Sequence, residues 1–208
     1  GSATQPTPWP PKRRNLASTD VDRAVVVLDA NVLFPARLRD LFVRLAIAGV
    51  YRARWSDLIL DECFRNITLH RPELDLERLQ RTRELMSAAI VDATVTDYEH
   101  AIERFELPDA DDRHVAAAAL VGGATTIVTF NLRDFPAAAM RPHGLAAVSP
   151  DAFVRRLFED DPDAVLDALV EQAASLRDPP TTFEQLLDGF QDAGLTSFVD
   201  AVRGRETS

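Results

Sequence analysis

Two hydrophobic runs, each followed by polar residues, predict two buried strands. Residues 24–28 are continuously apolar and lead directly into Asp29, and residues 125–130 form a β-branched run that leads into Asn131. Apolar runs of this length are typical of parallel strands that are covered on both faces. Residues 145–148 are a candidate third strand.

Between these strands, apolar residues recur at helical spacing. Leu38, Leu41 and Leu45 predict a helix that Gly49 closes, and Ser56 is placed to cap the next one. Three more helices are predicted: over 76–89, from a capping box of Thr96 and Glu99, and over 115–121, where an acidic cluster opens the helix and Gly122-Gly123 stops it. Strands that alternate with helices predict an α/β fold with a parallel central sheet flanked by helices.

The pattern changes at Ser149. Ser149-Pro150 and Asp161-Pro162 each place a capping residue before a proline, and Thr181 with Glu184 forms a candidate capping box. We therefore expect a C-terminal appendage of three or four helices. The domain organisation predicted is a disordered tail over 1–22, an α/β domain over 23–148 and a helical extension over 149–208.

Composition is that of an ordinary globular protein, with 46% hydrophobic and 27% charged residues. No apolar run approaches the roughly 20 residues that span a bilayer, and the N-terminal residues are Pro-rich and basic without the apolar stretch of a signal peptide. A single cysteine, Cys63, excludes an intrachain disulfide framework. We expect a cytoplasmic protein without membrane segments.

The net charge of −10 limits how the protein can meet nucleic acid. Residues 151–208 hold 13 acidic and 5 basic residues, and Lys12 is the only lysine. A net-negative surface does not attract RNA at long range, so local arginines or metal ions must provide the contacts. Arg37 and Arg39, which follow the first strand, are candidate RNA contacts.

Polar residues follow both predicted strands, where functional groups of α/β sheets gather. Asp29 and Asn31 follow the first strand, Asn131 and Asp134 follow the second, and the acidic cluster at 109–112 precedes the second strand by one short helix. Two carboxylates about 4 Å apart repel by roughly 4 kcal/mol at an effective dielectric of about 20, so such a cluster needs a cation. Mg²⁺ or Mn²⁺ suits oxygen ligands and can activate water against a phosphodiester.

Four segments, in this order, resemble the active-site motifs of PIN domains. They are Val-Val-Leu-Asp29-Ala-Asn31, Trp55-Ser-Asp-Leu-Ile-Leu-Asp-Glu62, Asp112-Arg-His-Val-Ala-Ala, and Thr129-Phe-Asn131-Leu-Arg-Asp134-Phe. The resemblance covers residues 24–150, and the helices after Ser149 resemble the C-terminal extension of a subset of VapC-like proteins. It implies a metal-dependent ribonuclease of the VapC toxin type, a VapB-type antitoxin that neutralises it, and a homodimer.

The resemblance also implies roles for individual residues. Asp29, Glu62, Asp112 and Asp134 match the acidic positions and are the expected catalytic metal ligands. Five neighbours are expected to orient them: Asn31, Asp109, Asp111, Thr129 and Asn131. Many family members have an aspartate where this chain has Asn131, which puts a second metal in doubt. Asp109 and Asp111 are alternatives to Asp112 as ligand, and His114 is expected to lie on the helix surface or pack against a neighbour.

Other classes of protein fit the residues less well. A haloacid dehalogenase would need an aspartate at position 31 and a downstream lysine, and a P-loop hydrolase would need Gly-x-x-x-x-Gly-Lys. The alternative left open is a PIN fold that has lost catalysis and binds RNA or a partner, which Asn131 favours. As a test, replacement of Asp29 by Asn is expected to abolish cleavage and to raise the stability of the metal-free protein.

Overall fold

A four-stranded parallel sheet lies at the centre of the molecule, as described by a computed structural model that covers residues 23–206. The strands are β1 (Val25–Leu28), β2 (Arg52–Arg54), β3 (Thr126–Val128) and β4 (Ala146–Val148). Their order across the sheet is β2-β1-β3-β4, and every neighbouring pair is parallel. The predicted α/β fold class is confirmed.

Ten α-helices complete the described part of the chain. Six precede β4 in the chain: α1 (Ala30–Leu33), α2 (Ala36–Ile47), α3 (Asp57–His70), α4 (Leu76–Ala89), α5 (Arg113–Val121) and α6 (Ala137–Met140). Four follow β4: α7 (Pro150–Asp160), α8 (Pro162–Ser175), α9 (Phe183–Asp192) and α10 (Thr196–Glu206). Short 3-10 helices cover Glu99–Arg104, Leu132–Asp134 and Arg141–His143. No helix within residues 23–206 is long and apolar enough to cross a membrane.

The helix boundaries follow the capping chemistry of the sequence. The Ser56 hydroxyl accepts from Ile59 N at 3.2 Å at the start of α3, and Ser149 and Asp161 cap α7 and α8 ahead of their prolines. The helix predicted over 76–89 is α4. The disordered tail predicted over 1–22 lies outside the described residues.

Two predicted capping boxes are wrong. Asp97 takes a left-handed conformation with φ 59°, and the Thr96 hydroxyl donates to its carboxylate, so a 3-10 helix begins only at Glu99. At the second position the box is shifted by one residue. The Thr182 hydroxyl accepts from Gln185 N at 3.2 Å while Gln185 Oε1 accepts from Thr182 N at 2.9 Å.

The C-terminal helices pack against α2. The Phe153 ring of α7 lies 6.1 Å from the Phe42 ring and 5.2 Å from the Tyr51 ring, measured between centroids. Gln172 of α8 donates to the Arg37 carbonyl at 2.9 Å. These contacts join the extension to α2, the second helix after β1.

Candidate functional site

The edge of the sheet where β1 and β3 end forms the base of the site. Leu28 pairs with Val128, so Asp29 and Thr129, the residues that follow, lie side by side. The Asp29 N–H donates to the Val128 carbonyl at 3.1 Å and extends the ladder by one bond. Parallel pairing thus brings together two segments 100 residues apart in sequence.

Asp29 is buried and held by three hydrogen bonds. Its Oδ1 accepts from Ala30 N at 2.7 Å, and its Oδ2 accepts from the Thr129 hydroxyl and from Asn31 Nδ2, both at 2.7 Å. Burial raises the pKa of this carboxyl, while the bonds from Thr129 and Ala30 oppose the rise and nearby Glu62 adds to it. The side chain is fixed in one orientation at the edge of the sheet.

These bonds alter the expectation for Asp29→Asn. An amide Nδ2 at the Oδ2 position would face the Asn31 amide, which is itself a donor, so a partly buried hydrogen bond would be lost. The relief of charge repulsion is then opposed by an unsatisfied donor. The predicted stabilisation of the metal-free protein by this substitution no longer follows.

Thr129 connects the two strand ends. Its side chain is fully buried, donates to Asp29, and accepts from Asn31 Nδ2 at 3.0 Å and from Asn131 N at 2.9 Å. Asn31 in turn accepts from Phe130 N through its Oδ1 at 3.1 Å. Three of the predicted orienting residues therefore form one hydrogen-bonded group around Asp29.

Asp112 is a second perturbed carboxyl of the site. It stands at the N-terminus of α5, and its side chain makes no capping hydrogen bond. Burial raises its pKa to about 7, with further contributions from the charges of Asp29, Asp134, Asp109 and Glu62. Charges from three other segments, together with Asp109 of its own segment, therefore act on Asp112.

The remaining acids lie around this position with different surroundings. Asp134, at the end of a 3-10 helix, accepts a hydrogen bond from Asn131 Nδ2. Asp109 is exposed and accepts from Asp111 N at 2.9 Å, which forms a local turn. Asp111 is exposed as well and does not contribute to the pKa of Asp112.

His114 lies closer to the acids than the sequence suggested. It is buried on α5, and its Nε2 is 3.7 Å from Glu62 Oε2. Its Nδ1 has no hydrogen-bond partner within the described part of the chain. In the sequence, only the position of His114 two residues after Asp112 indicates that it lies near the acids. The pattern of α5 alone does not show which other helix covers this side chain.

The two candidate arginines differ in their surroundings. Arg39 is buried at 9% exposure; its Nη1 donates to the Leu33 carbonyl at 2.6 Å, and its guanidinium lies 5.7 Å from the centre of the Phe64 ring. The structure therefore contradicts a role for Arg39 in RNA contact, because its guanidinium is buried and hydrogen-bonded inside the domain. Arg37 is exposed, and a Cβ placed on Gly189 of α9 would lie 2.1 Å from its Nη1.

The donor chemistry of the pocket fits a hard divalent cation. Carboxylate oxygens are the ligands such ions prefer, and a carboxyl with a pKa near 7 needs positive charge to ionise fully. Within residues 23–206, no three His, Cys, Asp or Glu side chains stand as a ready-made ligand set. Mg²⁺ commonly retains several waters and takes only one or two carboxylates, so its binding does not require a preformed cage.

Fold and site together define an α/β protein with an acidic pocket at the carboxyl edge of a parallel sheet. A family profile described as "PIN domain" matches residues 25–133, and the chain belongs to this family. A second profile, "VapC50 C-terminal domain", matches residues 150–204.

One curated relative is 41% identical over 80 residues, which are 37% of this chain and 46% of the relative. It is named "Putative ribonuclease VapC50", from Mycobacterium tuberculosis (strain ATCC 25618 / H37Rv). The match spans about half of the relative's length. No solved structure matches the chain significantly.

Proposed function

We propose that this chain is a VapC-type endoribonuclease that uses a divalent cation to cut RNA at the pocket of Asp29, Glu62, Asp112 and Asp134. The observation that carries the proposal is the placement of Asp112, at the start of α5, where burial and the charges of Asp29, Asp134 and Glu62 together raise its pKa to about 7. The name of the relative, a ribonuclease, supports the same activity.

The four acids would hold Mg²⁺ or Mn²⁺. When bound, either ion neutralises phosphodiester charge and activates water. The residues of the chain supply the positioning: Thr129 and Asn31 keep the Asp29 carboxylate directed in one orientation, and Asn131 holds Asp134. His114 lies beside Glu62 and restricts where that longer side chain can turn.

Arg37 is the proposed cation for the RNA backbone. It is exposed near the start of α2, and no carboxylate within residues 23–206 forms an ion pair with it. A guanidinium binds phosphate oxygens with two parallel hydrogen bonds.

The direct test is cleavage of a panel of structured and unstructured RNAs by the purified full chain in Mg²⁺, Mn²⁺ or EDTA. Wild type should cut at least one RNA with either metal and none in EDTA. Asp29→Asn and Asp112→Asn should each lower kcat by at least 100-fold, which corresponds to a loss of about 2.7 kcal/mol or more of transition-state stabilisation. The matched control is Asp200→Asn, an exposed acid on α10. Equal cleavage by wild type and both pocket variants would contradict the assignment.

A catalytically inactive PIN module is the second candidate. It is favoured by Asn131 at a position where a further acid would strengthen the pocket, and by the lack of a preformed ligand set within residues 23–206. This reading predicts RNA or partner binding without cleavage and no Mn²⁺ binding at millimolar concentration.

A VapB-type antitoxin is the proposed regulatory partner, with a basic segment that occupies the acidic pocket. Arginine pairs with carboxylates through two hydrogen bonds and would compete with the metal. Equal antitoxin binding by wild type and the double variant Asp29→Asn, Asp112→Asn would contradict this mode of inhibition. A homodimer, a cytoplasmic location and a domain boundary near residue 149 belong to the same proposal.

A further inference from the structure

An exposed aromatic ring lies beside the acidic pocket. Phe130 stands between Thr129 and Asn131, and its side chain is 43% exposed. Leu132, two residues on, is exposed to the same extent. Large apolar side chains are thus presented to solvent within the segment that orients Asp29 and carries Asp134.

The backbone that carries this ring is held on both sides. The Phe130 N–H donates to Asn31 Oδ1 at 3.1 Å, and the Asn131 N–H donates to the Thr129 hydroxyl at 2.9 Å. The ring therefore projects from a fixed segment. A rigid contact surface loses little conformational entropy when a ligand binds it.

The C-terminal extension supports the ring from behind. A methyl group placed on Gly194, in the turn between α9 and α10, would lie 3.8 Å from Phe130 Cε1. Gly194 has φ +92°, a conformation that disfavours any side chain. The turn therefore lies next to Phe130, whose side chain is still 43% exposed.

The charge of the molecule makes such a surface useful for RNA. With a net charge of −10, general electrostatic attraction cannot supply the affinity that most RNA-binding proteins obtain from basic surfaces. Stacking of a base on an aromatic ring is independent of net charge and is worth roughly 1–3 kcal/mol per base. An aromatic ring beside the pocket would replace part of the missing attraction.

We propose that Phe130 is the stacking platform for an unpaired base next to the phosphodiester that is cut, and that the turn at Gly194 holds the ring in place. The inference rests on the proposed nuclease function and adds to it a residue that binds a base of the substrate. In a duplex the bases are already stacked and paired, so they cannot cover the ring.

The test compares variants that separate aromaticity from apolar area. Phe130→Ala and Phe130→Leu should weaken binding of a fluorescein-labelled single-stranded RNA roughly 5- to 150-fold, the range that loss of one stacking contact implies. Phe130→Tyr should bind within about twofold of wild type, because the ring is retained. Leu132→Ala, which removes an equally exposed apolar side chain without a ring, is the matched control. Binding is measured in EDTA so that all variants are compared without cleavage.

Kinetics and a fluorescence reporter give independent readouts. In Mg²⁺, Phe130→Leu should raise KM far more than it lowers kcat on single-stranded RNA and should leave duplex RNA unaffected. Phe130→Trp in a Trp9→Phe background should lose emission on addition of RNA, because the other tryptophan, Trp55, is fully buried. Thermal melting of each variant verifies that it is folded.

The outcomes separate this inference from the function on which it rests. A wild type that cuts RNA, together with Phe130→Leu and Phe130→Ala variants that match it in Kd and KM, would refute the stacking platform and leave the nuclease standing. A wild type that neither binds nor cuts any RNA would refute both. Equal losses in Leu132→Ala and Phe130→Leu would also overturn the proposal, since apolar area rather than a ring would then be responsible.

Discussion

At the residue scale, the site depends on carboxyls whose surroundings differ. Asp29 is buried but accepts three hydrogen bonds, whereas the side chain of Asp112 has no capping bond and lies among four other acids. Removing the charge therefore has different consequences at the two positions. At Asp29 hydrogen bonds are lost with the charge, whereas at Asp112 the substitution removes the cost of burying a charge and the repulsion from nearby acids.

Asp112→Asn should make the stability of the metal-free protein less dependent on pH. The pKa of Asp112 is about 7 in the folded protein against an ordinary value of 3.8, so the folded state binds this proton more tightly than the unfolded state. The resulting penalty is absent below pH 3.8, grows as the pH rises and is complete above about 7. Thermal melting in chelator should show wild type losing stability from pH 4 to pH 8 relative to the variant, by roughly 2–4 °C per kcal/mol of repulsion relieved. Parallel melting profiles over this range would contradict the account.

Thr129→Val should damage both stability and activity. The change keeps the shape of the side chain but removes the hydroxyl that donates to Asp29 and accepts from Asn31 and Asn131. Leaving such buried groups unpaired costs about 1–3 kcal/mol, which urea unfolding can measure, and RNA cleavage should fall because Asp29 is no longer fixed. Thr125→Val, at an exposed position just before β3, is the control and should change stability by no more than about 0.5 kcal/mol. Equal effects of the two substitutions would show that Thr129 has no special role.

At the element scale, Gly189 of α9 lies against the Arg37 side chain of α2. The guanidinium of Arg37 occupies the space that a Cβ on Gly189 would need. Further contacts come from Gln172, which bonds the Arg37 carbonyl, and from Phe153, which packs on Phe42 and Tyr51. The C-terminal extension therefore determines the surroundings of Arg37, the proposed RNA contact.

A double-mutant cycle at these positions should reveal the coupling. Gly189→Ala alone forces the Arg37 side chain to move, which offsets the helix-forming advantage of alanine of about 1 kcal/mol. In an Arg37→Ala background that obstacle is gone, so Gly189→Ala should be more stabilising by at least about 0.5 kcal/mol in urea unfolding. Additive effects within error would mean that Arg37 does not occupy this space in solution.

The sequence predicted some secondary-structure elements correctly and missed others, and each miss has a physical reason. Strands β1 and β3 were predictable because they are central and continuously apolar, but β2 was missed because Arg52–Arg54 is three residues long and two of them are arginines. Its pairing with β1 arises from the tertiary fold rather than from its own pattern. The two misplaced capping boxes have a similar cause: a left-handed Asp97 and a one-residue shift to Thr182 are set by the chain around them.

At the scale of the whole molecule, motif order predicted more of the site than local pattern did. The charges of Asp29, Glu62 and Asp134 act on Asp112, and the parallel topology that the alternation of strands and helices had indicated brings Asp29 beside the segment that carries Asp134. Their role as metal ligands stays a prediction. Burial of Arg39 and His114 could not be predicted, because both depend on which distant elements cover them. The position of the Gly194 turn beside Phe130 likewise requires the folded extension.

The central claim is that acids distant in sequence form one pocket that binds a divalent cation. Titration calorimetry of Mn²⁺ into the metal-free full chain at pH 7.5 tests it directly. Wild type should bind Mn²⁺ and release protons on binding, since Asp112 is partly protonated near pH 7. Asp112→Asn should bind Mn²⁺ at least roughly tenfold more weakly, which corresponds to about 1.4 kcal/mol of lost interaction, and should release fewer protons. Absence of binding to wild type at millimolar Mn²⁺, or equal binding and proton release by Asp112→Asn, would contradict it.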